Sequence, residues 1–190
     1  MSTPTRTQLV AEAEELMRRV GYSAFSYAHL TEKIGIRKAS IHYHFPTKQD
    51  LAEAVVDVAM ERFVEALAVI GSTEPAAAAR LDAYSRLFLL GVEDNLRPLC
   101  CALSAELGVL PDSIQEKTRH YFDLHLDWLT GVIEAGRTAG ELHWPGEARA
   151  LAVLLLTTLE GGSLVARAQQ APGLVLAGFA QVMMQIRTPA

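Results

Sequence analysis

Apolar residues recur at three- and four-residue intervals along almost the whole chain, and no stretch alternates with period two, so the pattern predicts helices and no strands. The first helix should run from Thr5 or Thr7 to Val20, with Leu9, Ala13, Leu16, Met17 and Val20 inward and Gly21 ending it. Ser26 is placed to cap a short helix from Tyr27 to Ile34, and Gly35 then supplies a residue that tolerates the left-handed turn. A second short helix starting near Arg37 carries Ile41 inward. Leu30, Ile34, Ile36 and Ile41 make the small apolar seam that two steeply crossing helices need. Pro46 stops that helix, and Thr47 caps a long one from Lys48 to about Ile70. After a break at Gly71 to Pro75, further helices are expected over Ala76 to Glu93, Arg97 to Val109, Ser113 to Ala139, Glu147 to Ala168 and Leu174 to Ile186.

The outward side of the helix around Ile41 shows Arg37, Lys38, Ser40, His42, Tyr43 and His44. These are hydrogen-bond donors and flat rings, unlike the Glu/Lys mixture of an ordinary solvated helix. The arrangement reads as a helix-turn-helix whose second member enters a DNA groove. A net charge of −5 argues against nucleic acid until the chain is divided at Lys48. Up to that point seven Lys/Arg face four Glu, net +3; the remainder has ten basic and eighteen acidic residues, net −8. The electropositive quarter is the one that would meet phosphate. Lys48 sits in a first helical turn, where the dipole favours an acid, so a nearby phosphate is the better explanation for it.

Tyr121, His125 and Trp128 share one face of the clearest amphipath. Two readings stay open for this stripe: a core face with one satisfied imidazole, or one wall of a small-ligand pocket shared with Tyr84, Phe88, Cys100 and Leu103. In the second, His125 orients the ligand. The last two helices are apolar nearly all round, which predicts burial on more than one face and hence a homodimer seam. Leu156, Glu160, Leu164, Arg167, Phe179, Val182 and Met183 are its expected residues, with Glu160 and Arg167 paired or bonded across it.

Several classes drop out. The polar N-terminus does not read as a signal peptide. The uncharged run from Ala168 to Ile186 is broken by Pro172-Gly173 and interrupted by Gln181 and Gln185, so a membrane span is rejected. Adjacent Cys100 and Cys101 have no metal spacing and suit a reduced, cytoplasmic protein; sensing of an oxidant or electrophile is the alternative use for them. His42 and His44 point to different sides of their helix, and no metal or other cofactor is expected. With no nucleophile elbow and no phosphate-binding glycine loop, neither is catalysis.

Gly21-Tyr22, Phe25-Ser26, Ile34-Gly35-Ile36, Lys38, Ser40-Ile41, Tyr43-His44-Phe45-Pro46-Thr47-Lys48 and Leu51 together resemble the TetR family of bacterial transcriptional regulators over roughly the first 55 residues. The resemblance implies an all-α subunit of about nine helices, with a three-helix DNA-binding domain over 1–50 and a ligand-binding and dimerisation domain over 51–190. It implies a homodimer on double-stranded DNA, and repression usually relieved by a small organic effector. A constitutive DNA-binding protein with no effector is the other reading. By position, Ser26, Lys38, Ser40 and Lys48 would touch phosphates, while Arg37, Ala39, Tyr43 and His44 would approach base edges. Tyr27 and His42 complete the expected DNA-binding set. His42 stands where the family commonly has tyrosine, and Ala39 where it often has glycine.

Overall fold

The computed structural model describes residues 6–92 and 94–188. Nine α-helices occur among them: α1 Arg6–Val20, α2 Tyr27–Ile34, α3 Lys38–His44, α4 Lys48–Thr73, α5 Ala77–Arg86, α6 Leu99–Ser104, α7 Asp112–Thr138, α8 Ala148–Gln169 and α9 Leu174–Ile186. The single β-bridge among the described residues pairs Leu142 with Arg187. The chain forms two compact units. One holds the chain up to Arg62 together with Leu99–Tyr121; the other holds Phe63–Pro98 and everything from Phe122. The division falls within α4 and α7.

In the first unit, Leu9, Ala13 and Met17 of α1 close over Phe25, Leu30, Ile41, Phe45 and Leu51, all buried. Val20 leaves this face and is 45% exposed, while Ile34 and Ile36 are half-buried at the edge of the seam. Gly35 ends α2 at φ 74, its N–H returning to the Thr31 carbonyl. Thr47 opens α4 by exchange with Asp50: the Asp50 N–H donates to Thr47 Oγ1, and the Thr47 N–H donates to Asp50 Oδ2. α6 packs on α1. Its segment is shorter than the periodicity predicts, with a 3₁₀ turn at Leu107–Val109 replacing its second half.

In the second unit, α8 and α9 form the most extensive helix pair. Leu151, Leu155 and Leu159 of α8 meet Val175, Phe179 and Ile186 of α9 in the core. Glu141, in the α7–α8 connection, accepts from the Ala77 N–H and so caps α5 from 64 residues away. Its backbone carbonyl accepts from the Thr188 N–H, and the His143 N–H donates to the Ile186 carbonyl. An Asp82–Arg187 ion pair ties α5 to the end of α9. α4 continues through Gly71 to Thr73, where Ser72 and Thr73 hydroxyls donate back to the Val69 carbonyl. α5 stops at Arg86, followed by a 3₁₀ turn at Leu87–Leu89. Thr5 and Glu93, offered as helix ends, lie outside the described residues.

Candidate functional site

The recognition surface is built by α3, which buries only Ile41. Arg37, Lys38, Ala39, His42 and Tyr43 are exposed, Tyr43 by 84%, and Ser40 and His44 are half-buried. The Tyr43 ring meets the His44 ring edge-on at 5.1 Å, so the two rings orient each other. Ser26 sits at the N-cap of α2 in extended geometry, yet its hydroxyl makes no capping bond and is left for another partner.

Tyr27, one of the expected DNA-binding residues, also carries a structural role. It is buried, and its hydroxyl lies within donating distance of the Phe45 and Thr47 carbonyls. Burial, then Asp50 and Tyr22, push its phenol up to about 12. Tyr27 is therefore a strut that fixes the exit of α3. His42 packs its ring edge against Tyr27 at 5.0 Å and donates from Nδ1 to the Pro46 carbonyl at 2.9 Å. A carbonyl can only accept, so the Nδ1 proton is fixed, and the neutral ring offers only an acceptor at Nε2.

Lys48 is held from three sides. Its ammonium lies 4.5 Å from the Tyr22 ring centroid and 5.0 Å from that of Phe25, and donates to the Ser23 carbonyl at 3.3 Å. Desolvation lowers its pKa, and the charge of Glu106 works the other way. This bracket went unread in the sequence; its trace is the pair of rings at Tyr22 and Phe25, which spacing alone does not bring to Lys48.

The second unit gathers Tyr84, Phe88, His125 and Trp128. Tyr84 is fully buried, and its hydroxyl stands 2.7 Å from His125 Nδ1. Trp128 stacks on Tyr84 at 5.4 Å, and Phe88 lies tilted at 5.6 Å. Phe63, not among the expected ligand residues, stacks on the His125 ring at 4.0 Å. Burial pushes the imidazole down to about 3, so it is uncharged at neutral pH. Cys100, Leu103 and Tyr121 belong to the other unit, each buried there, and Cys101 is buried beside them. Tyr121 is pushed upward by desolvation and by Cys100. No group of three metal-ligating side chains occurs among the described residues.

The expected dimer residues divide. Leu156, Phe179 and Met183 are 4%, 3% and 3% exposed, each packed within its own subunit. Their helices need one apolar face for that internal contact. Leu164 is exposed, while Glu160, Arg167 and Val182 are half-buried. Arg167 donates from Nε to Asn95 Oδ1 of the same chain at 3.0 Å. The apolar side chains left outward on α8 and α9 are Val153, Leu154, Leu164, Val165, Leu174 and Met184. α8 is also the one described helix long and apolar enough, by length and composition, to cross a membrane, but its Leu151, Leu155 and Leu159 are committed to the core.

A family model for bacterial regulatory proteins of the tetR family matches residues 9–55. The crystal structure of a TetR-family transcriptional regulator from Agrobacterium tumefaciens superposes with a TM-score of 0.92 at 31% identity, over 96% of this chain and 97% of that one. A TetR transcriptional regulator from Legionella pneumophila gives 0.85 at 27% identity, over 98% of this chain and 100% of that one. The nucleoid occlusion factor SlmA of Marinobacter nauticus is 27% identical over 122 residues, which is 63% of this chain and 62% of that protein. The match thus spans less than two thirds of that relative.

Proposed function

The chain belongs to the TetR family of transcriptional regulators, which bind DNA and are not enzymes, and from that premise we propose a homodimeric, cytoplasmic repressor released from its operator by a small organic effector. The observation that carries this reading is the face of α3. A seven-residue helix that buries one side chain and presents Arg37, Lys38 and Tyr43 outward has a surface suited to a major groove and to little else. Arg37, Ala39, Tyr43 and His44 would read base edges. Ser26, Lys38, Ser40 and Lys48 would hold phosphates.

Pairing of subunits is supported by Val153, Leu154, Leu164, Val165 and Leu174, outward on α8 and the start of α9, a surface that water does not stabilise and a two-fold copy would cover. Two recognition helices would then lie about 34–36 Å apart, or somewhat more, on a pseudo-palindromic site. The effector reading rests on Tyr84, Phe88, His125 and Trp128, an aromatic group around one uncharged imidazole. α4 carries both Lys48 and Phe63, the residue stacked on His125, so a ligand that displaced Phe63 would act on the helix that roots the phosphate contact. About 1–3 kcal/mol of coupling would make a useful switch.

Selection of the preferred site from random DNA tests the reading. Two inverted half-sites at roughly one helical turn are expected; a single unrepeated site, or no enrichment at low salt, would overturn it. A thermal-shift screen of small hydrophobic compounds tests the effector, since a ligand of the native state must raise Tm.

A further inference from the structure

We propose that the groove between α5 and α9 is a second small-molecule site, built for an amphipathic monocarboxylate of the medium-chain fatty acid class. The groove lies within the second unit and has a volume of about 280 Å³. Leu176, Phe179, Ala180 and Met183 of α9 form its floor, with exposed Met184 at the lip. Methionine side chains adapt to chains of differing shape. Asp82, Ser85 and Arg86 of α5 form the opposite wall, and Arg187 closes one end.

The charges decide the ligand. Asp82 and Arg187 are ion-paired and cancel. The Ser85 hydroxyl is engaged in donating to the Asp82 carbonyl. Arg86 makes no ion pair with any described residue, so one uncommitted guanidinium stands over an apolar floor. A guanidinium takes a carboxylate through two parallel hydrogen bonds. At roughly 30 Å³ per carbon-sized group, near a water's share of liquid volume, the groove holds a chain of about nine heavy atoms. An alkylammonium would meet an unpaired like charge, and a bare inorganic anion would leave the floor wet. None of the aromatic residues assigned to the effector is used, so this site stands apart from that reading.

The experiment is titration calorimetry of the full chain with hexanoate, octanoate and decanoate, each below its micelle concentration, beside 1-octanol and octylammonium. Binding should tighten about fourfold per methylene until the groove is filled, with the alcohol and the amine at least tenfold weaker than octanoate. Arg86→Gln, an exposed change that should leave Tm unaltered, should weaken octanoate at least tenfold, and Ala180→Phe should block it. His125→Gln should leave the affinity for octanoate unchanged. Equal octanoate binding by wild type and Arg86→Gln, binding lost in His125→Gln instead, or no binding by wild type would each overturn the assignment. So would light scattering in which Ala180→Phe lowers the oligomeric mass, because the occupant would then be a second copy of the chain.

Discussion

The backbone N–H of Ser23 donates a 2.7 Å hydrogen bond to Glu106 Oε2, 83 residues further along the chain. Ser23 lies in the bend between α1 and α2, and its carbonyl is the one that accepts from Lys48. One carboxylate from the α6 segment therefore holds the loop that holds the phosphate lysine. Glu106→Ala should release that loop and weaken operator binding several-fold, whereas Glu106→Gln keeps an acceptor and should restore most of it. Fluorescence anisotropy at fixed salt measures both; identical affinities for the two variants would show that the bond does not position the loop.

Lys48 itself should act without regard to sequence. Lys48→Ala is expected to weaken operator and random duplex alike, and to lower the slope of log affinity against log salt by about one. Tyr43→Ala should instead change which bases are preferred. Should Lys48→Ala leave the salt slope untouched, its ammonium serves only to bind the Tyr22 and Phe25 rings.

The helix-turn-helix was legible in the sequence because its determinants are local: Leu30 and Ile41 alternate with donors over a few turns, and Gly35 marks the bend where φ turns positive. What could not be read depends on partners far along the chain. Tyr27 looks like its exposed neighbours until the Phe45 and Thr47 carbonyls, 18 and 20 residues on, are brought to its hydroxyl. Phe63 needed His125, and Lys48 needed two rings across a bend. On α8 the difficulty is different. Leucine and valine surround that helix, so hydropathy does not separate buried Leu156 from exposed Val153. Only packing against α9 chooses the face.

His125 predicts an acid-sensitive fold. Its folded pKa, depressed by burial to about 3, lies below the ordinary value near 6.5 of an unfolded histidine. Above that value neither state binds the proton. Below it the unfolded chain does and the folded chain does not, so stability falls by up to about 1.4 kcal/mol per pH unit as pH drops toward 3. Denaturant unfolding at pH 7 and pH 5 should show the loss. His125→Gln, which can still accept from Tyr84, should be less stable at pH 7 yet lose less on acidification.

Gly162 should be the glycine that α8 cannot exchange. A Cβ built there would lie 2.6 Å from the Val175 carbonyl oxygen of α9, and backbone cannot rotate away as a side chain can. Gly162→Ala gains about 1 kcal/mol of helix propensity, but prying the principal helix pair apart should cost about 1–3 kcal/mol. A net fall in Tm is expected. Gly131 lies on the exposed side of α7, and a Cβ added to it would meet nothing within 4 Å. Gly131→Ala should therefore keep the propensity gain and raise Tm. If both substitutions raised it alike, the α8–α9 contact would be looser than the Val175 carbonyl implies, and the outward apolar face of this pair could not be rigid enough to present one fixed surface to a second subunit.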